Sequence, residues 1–176
     1  MLEPVYSWIL ALGCALLLAR AAAHKLEQRR ELVAIVANYR IVPAGWAAIA
    51  AIVVVLCEMA SALLLLSPET RAFGAIMAAS LFMTYAAAIA LNLKRGRTHI
   101  DCGCVGPSQR RPIGAWMVWR NGVLTIAAAL SAMSIAARTL STSDVLTICG
   151  GVAVLALLYA AFDQLGAIAT RTRTAS

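Results

Sequence analysis

The sequence predicts an all-α fold: a polytopic membrane helical bundle of four core transmembrane helices plus a fifth. Three observations lead there. The 176 residues are 62% hydrophobic and 13% charged, about half the charge of an ordinary soluble domain. The mean hydropathy is +0.83. The apolar residues gather into five runs, each near the roughly 20 residues that a helix needs to cross a bilayer. This composition excludes a water-soluble globule, a disordered chain and a secreted disulfide scaffold. Residues 1–176 read as a single integral membrane domain with no large soluble part, so any chemistry must sit in the bundle or in a loop.

The first run, 5–23, follows Glu3 rather than a basic leader, and its basic cluster Lys25, Arg29 and Arg30 comes after it. That order argues for a retained helix and against a signal peptide. The second run, 44–66, is opened by Pro43 and closed by Ser67-Pro68, and proline suits the edge of a helix. The third is 72–93. The fourth, 113–137, follows Pro112, and the fifth, 145–166, follows a polar stretch, 141–144, that can cap it. In the connector 24–42, Leu32, Val33, Ile35, Val36 and Tyr39 recur at helical spacing opposite Arg29, Arg30, Asn38 and Arg40. This amphipathic segment reads as a short helix on the membrane surface, either a plain connector or a lid over a site.

The net charge is +7 and the pI about 9.7, yet no nucleic acid is expected, because the basic residues flank apolar runs. Segments 24–42 and 94–112 and the C-terminal tail fall on one face of a five-span chain. They carry eleven basic residues: Lys25, Arg29, Arg30, Arg40, Lys94, Arg95, Arg97, Arg110, Arg111, Arg171 and Arg173. The opposite face has Arg71 and Arg138. By the positive-inside rule the eleven are cytoplasmic and the N-terminus is outside.

Of five cysteines, two stand together in the 94–112 loop, in Asp101-Cys102-Gly103-Cys104-Val105-Gly106-Pro107. Gly103 lets the two sulfurs approach across one residue, and the small ring that results is strained and exchanges readily. Arg97, Arg110 and Arg111 favour a thiolate and Asp101 opposes it. The functional reading is a redox-active dithiol with Cys102 and Cys104 as catalytic residues. Two other readings compete: a structural turn, and a metal site built from His99, Asp101, Cys102 and Cys104. The spacing lacks the second cysteine pair of structural zinc, and no metal is expected.

Cys14 and Cys57 each lie nine residues from the outer end of their runs. At about 1.5 Å per residue they share a level near mid-membrane. They are either a relay pair or small apolar residues at helix interfaces; Cys149 has no evident partner. Glu58, inside the second run, is a functional candidate as a proton carrier or polar anchor. The alternative is a neutral acid bonded to Ser61 or to another helix. Arg20 and Arg120 lie near the cytoplasmic ends of their helices. They either snorkel to the surface or turn inward beneath the dithiol loop, where Arg120-Asn121 would stabilise a thiolate or a quinone oxygen. Asp163 reads as interfacial.

Several of these pieces, in this order, resemble MauE, the methylamine utilisation membrane protein family, within the broader DoxX-like group. They are His24-Lys25-Leu26, Tyr39-Arg40-Ile41-Val42-Pro43, Glu58, Asn92-Leu93-Lys94-Arg95-Gly96-Arg97, Asp101-Cys102-Gly103-Cys104-Val105-Gly106 and Arg120-Asn121. The resemblance covers roughly residues 20 to 135. The cysteine loop with its basic lead-in is the specific part, and Val105 departs from the family's usual aromatic residue.

The resemblance implies an inner-membrane, multi-pass factor for maturing the methylamine dehydrogenase small (beta) subunit, an exported and disulfide-rich client. Processing, transport or disulfide formation are the implied steps, with a thioredoxin-like partner, MauD. As an enzyme the chain would be a thiol–disulfide oxidoreductase. A thiolate of Cys102 or Cys104 attacks a partner's disulfide, and the mixed disulfide resolves through the neighbouring cysteine. Electrons pass to or from a thioredoxin-like protein or a membrane quinone. One conflict stands: a client's disulfides form outside the cytoplasm, whereas the charge count puts the dithiol inside. Either the loop dips into the bundle, or electrons cross through Cys14 and Cys57, or the charge rule fails here. The alternatives in other classes are a non-catalytic assembly chaperone or scaffold and a small proton-coupled transporter.

Overall fold

A computed structural model describes residues 3–98, 100, 112–133 and 139–174. Among the described residues there are six α-helices and no strand. Four helical segments are long and apolar enough to cross a membrane: Pro4–Glu27, Ala44–Leu64, Arg71–Lys94 and Thr142–Gly166.

Helix α1 (Pro4–Glu27) opens on proline at its first position, where the missing N–H costs nothing. Gln28 leaves helical geometry at φ −117°, ψ 44°, and breaks the chain into α2 (Arg29–Tyr39). The amphipathic pattern places α2: Leu32, Val33 and Val36 pack on Ala22 of α1 and on Ala51 and Val55 of α3. Arg40 ends α2 in the left-handed conformation, φ 49°. After Pro43 one 3₁₀ turn, Ala44–Trp46, leads into α3 (Ala47–Leu64).

The reversal from α3 into α4 (Arg71–Lys94) is tight. The Thr70 hydroxyl donates to the Leu64 carbonyl at 2.9 Å, satisfying an acceptor that the helix end leaves open. Helix α4 ends in a Schellman motif. The Gly96 N–H reaches the Leu93 carbonyl at 3.0 Å, the Arg97 N–H reaches the Asn92 carbonyl at 3.0 Å, and Gly96 takes φ +70°, which glycine adopts without a Cβ penalty.

Helix α5 is Ala115–Ser131, shorter at both ends than the run 113–137 read from the sequence. At 17 residues it is about 26 Å long. Helix α6 is Thr142–Thr174. At its start the Ser141 N–H and hydroxyl both donate to Asp144 Oδ2 at 2.8 Å, and the Asp144 N–H returns to the Ser141 hydroxyl at 3.4 Å. This is a capping box.

The packing closes a ring. Helix α1 packs on α3, α3 on α4, α4 on α5, and α5 on α1. Helix α2 lies outside α3, and α6 lies outside α1. The centre of the ring is filled by Ala11, Cys14, Ala15 and Leu18 of α1, Ala75, Ala78 and Phe82 of α4, and Ala128 of α5, with Ala62 and Leu65 from the end of α3. So many alanines let the helices approach closely, which is how helices associate where lipid supplies no hydrophobic drive.

Among the described glycines, Gly74 is the one pressed against the backbone of a neighbouring segment. A Cβ there would lie 2.8 Å from Leu64 Cβ and 2.8 Å from the Leu65 backbone nitrogen. Because backbone cannot yield as a side chain does, Gly74→Ala should destabilise the bundle by about 1–3 kcal/mol and lower its thermal midpoint in detergent. Gly122→Ala, whose Cβ meets nothing within 4 Å, should raise the midpoint slightly through helix propensity.

Candidate functional site

The inward face of α3 is Ala47, Ala51, Val55, Glu58, Ser61 and Ala62, a helical stripe that is apolar except near its middle. Glu58 is fully buried there. Helical spacing on the neighbours aims two side chains at it. On α1, Lys25 continues the buried line of Leu18 and Ala22. On α4, Tyr85 lies between the buried Phe82 and Ile89.

Lys25 Nζ is hydrogen-bonded and ion-paired to Glu58 Oε1. The Tyr85 hydroxyl donates to the same oxygen at 2.6 Å. Lys25 also lies 3.4 Å from the Tyr85 hydroxyl oxygen and 4.9 Å from the centre of its ring. A lone carboxylate in a low-dielectric interior is costly, and a charge partner plus a directed donor offset that cost. Glu58 Oε2 is buried and has no hydrogen-bond partner among the described residues. Ser61, the partner suggested by sequence, instead donates to the Cys57 carbonyl one turn back at 2.7 Å, the usual resting place of a helical serine hydroxyl.

A second polar group lies where α4 ends. Asn92 is fully buried. It donates to the Ala88 carbonyl at 3.0 Å and accepts from Arg97 Nη1 at 3.2 Å. The Ile113 N–H donates to the Ile100 carbonyl at 3.0 Å, so the chain that leaves at residue 100 is back at residue 113. Ile113 packs with Ile89 and Met117, and Ile100, Leu93, Trp116 and Tyr39 pack against that cluster. Asp101, Cys102, Gly103 and Cys104 lie outside the described residues, as does His99.

Arg120 ties α5 to α6. Its Nη1 pairs with Asp163 Oδ1 of α6 at 2.6 Å, and its guanidinium lies 5.1 Å from the Trp116 ring and 5.7 Å from the Tyr159 ring. Asn121 is buried and donates to the Met117 carbonyl of its own helix at 2.8 Å. Arg20 lies on the exposed side of α1.

Cys14 and Cys57 are both free thiols. Cys14 belongs to the central cluster, whereas Cys57 is half-buried and outside it. Cys149 is free and exposed on α6. Arg71, counted from sequence as a loop charge, is turned into the far end of the bundle. It is 3% exposed, donates to the Ser7 hydroxyl at 3.0 Å and stacks 4.1 Å over the Trp8 ring.

Sequence reasoning found Glu58 and missed Lys25 and Tyr85 as its partners. Lys25 was absorbed into the basic loop, and Tyr85 is one aromatic among many apolar residues. The signal available was the 18, 22, 25 spacing, which puts Lys25 on the buried side of α1. Removing one member of a buried pair leaves an uncompensated charge. Lys25→Met should therefore lower stability by about 3–5 kcal/mol, read as a drop in thermal midpoint. Lys25→Met with Glu58→Gln should cost less than Lys25→Met alone, because no unpaired charge remains.

Comparison with known proteins bears on this architecture. A family model described as "Methylamine utilisation protein MauE" matches residues 3–134. The methylamine utilization protein MauE of Methylophilus methylotrophus is 37% identical over 163 residues, 92% of this chain and 86% of that protein. Its counterpart in Paracoccus denitrificans is 35% identical over 181 residues, 99% of this chain and 96% of that protein. The Paracoccus versutus protein is 38% identical over 170 residues, 96% of this chain and 91% of that protein. No solved structure matches. The match spans the four-helix ring, Lys25, Glu58 and Tyr85, and the cysteine loop, and on that extent this membrane protein belongs to the MauE family.

Proposed function

We propose that this protein is an inner-membrane thiol–disulfide maturation factor in methylamine utilisation, with Cys102 and Cys104 as its exchanging pair. The observation that carries the reading is the closed stem between Ile100 and Ile113. It anchors the chain at Ile100, and Cys102 and Cys104 follow two and four positions later in the sequence. A dithiol close in sequence to such an anchor suits exchange with a partner protein.

The chemistry is two successive exchanges. A thiolate of the pair attacks a disulfide of the partner, so one partner thiolate leaves and a mixed disulfide forms. The neighbouring cysteine then attacks the mixed disulfide, releasing the partner's second thiolate and closing the Cys102–Cys104 bond. Run in reverse, the same steps give the partner a disulfide. Arg97, tied to Asn92 at the base of the loop, adds positive charge beside the thiolate. Asp101 counters it, and Gly103 permits the short ring. In this reading Glu58, Arg120 and Asn121 hold helices and rim in place, Arg20 meets the headgroups, and any relay across the membrane would use the free thiols of Cys14 and Cys57.

The partners in this reading are a thioredoxin-like protein of the MauD kind and an exported, disulfide-containing client such as the methylamine dehydrogenase small subunit. A membrane quinone is the small-molecule electron carrier it admits. The charge distribution supports a cytoplasmic loop and an external N-terminus.

Cys102→Ser and Cys104→Ser should each abolish client disulfide formation or trap a mixed disulfide visible on a non-reducing gel. Full client oxidation with both replaced would overturn the reading. For orientation, in a Cys149→Ser background a membrane-impermeant thiol reagent should fail to label the reduced loop in intact cells and succeed after permeabilisation. Labelling from outside would place the loop on the exported side instead.

A further inference from the structure

The Lys25–Glu58–Tyr85 group has a property that the exchange chemistry does not use. Exchange between proteins at Cys102 and Cys104 passes a bond between sulfurs and conserves protons overall, and only a hand-over of electrons to a quinone would take protons up. Yet one carboxylate oxygen inside the bundle is saturated and the other is open. Glu58 Oε1 accepts from both Lys25 and Tyr85, while Oε2 is buried without a partner among the described residues. A purely structural anchor would be expected to spread its donors over both oxygens, since a buried acceptor left bare is costly. The bare oxygen is where a proton goes on: once it is protonated, the C=O at Oε1 keeps its donors and Oε2 carries the O–H.

We propose that Glu58, clamped between Lys25 and Tyr85, is a proton-exchange site inside the bundle that binds and releases one proton at Oε2. Uptake transfers a proton from hydronium to Oε2: the O–H bond of the donor breaks, a water molecule is left, and the Oε2–H bond forms. Lys25 and Tyr85 keep their own protons, and release is the reverse.

The surroundings allow both states. The Lys25 side chain is 13% exposed against 0% for Glu58, so Lys25 bridges water at the basic end of α1 and the buried carboxylate. Its charge also rests on the Tyr85 ring, so it retains a partner when Glu58 is neutral. Among the described residues, helix α1 brings Lys25 to Glu58, with His24 beside it in sequence. Helix α4 brings Tyr85, and α3 itself carries Cys57. Helix α2 meets α3 through Leu32, Val33 and Val36, while its Arg29, Arg30 and Glu31 are exposed.

The test is infrared difference spectroscopy of the full-length protein in lipid nanodiscs, titrated with acid in H₂O and in D₂O. The expected result is a carboxylic-acid C=O band that grows on acidification, shifts in D₂O and is lost in Glu58→Gln. Tyr85→Phe removes a donor from the C=O oxygen and should move the band to higher frequency, which a carboxyl elsewhere would not show. This arm keeps the proposal testable even where Glu58→Gln does not fold. The band should persist when Cys102 and Cys104 are both serine, which separates this site from the thiol chemistry. Absence of the band at every pH where the protein stays folded, its survival in Glu58→Gln, or its indifference to Tyr85→Phe would each overturn the proposal.

Discussion

Three long helices of this protein are tied by one requirement: a carboxyl group in the middle of an apolar helix must find its complement from neighbouring helices. A membrane bundle gains little from burying apolar surface, because lipid and protein interior are alike. A directed polar contact is therefore unusually effective in choosing between packings. Glu58 can be satisfied when the end of α1 and the lower half of α4 meet α3 at the level that brings Lys25 and Tyr85 to the same oxygen. A slide of either helix by one turn, about 5.4 Å, would break the arrangement. The alanine-rich interfaces, which fit at many registers, acquire a specific register from it.

The opposite demand operates at the end where α4 stops. There the chain leaves α4, and residues 100 and 113 on either side of the 101–111 segment are joined. Gly96 allows the sharp exit, Asn92 and Arg97 fasten it, and the Ile100–Ile113 hydrogen bond closes the return over the apolar cluster of Ile89, Ile113 and Met117. Helix α6 is attached to this same end by the Arg120–Asp163 pair. Gly166 adds to the attachment, since a Cβ there would strike the Trp116 ring at 2.4 Å. In the proposed function this anchored rim presents the dithiol, and the bundle beneath supplies a fixed frame. The two parts are joined through α4, which carries Tyr85 in its middle and Asn92 near its end.

The all-α membrane character of this chain and the polar residues that lie among lipid-length apolar runs are local properties. Hydropathy over about 20 residues, prolines at 43 and 112, and the 141–144 capping stretch declare them without reference to the rest of the chain, whereas the ends of α5, shorter than its apolar run, are not fixed by hydropathy. Glu58 belongs with the local properties, because a carboxyl inside an apolar run is conspicuous wherever it ends up. Which residue answers it is not local. Lys25 and Tyr85 are 33 and 27 positions away, and although the 18, 22, 25 spacing puts Lys25 on the buried side of α1, nothing in linear order says which group it meets there. Arg120 shows the same limit, with its place settled by Asp163 on a helix 43 positions later. So does Arg71, which sits at a run boundary like a loop charge and folds inward onto Ser7 and Trp8. The amino-acid sequence alone determined what each segment is, since that depends on neighbours within a turn or two. The tertiary structure alone decided which charge meets which, since the low dielectric of the interior acts on groups brought together only when the ring of helices closes.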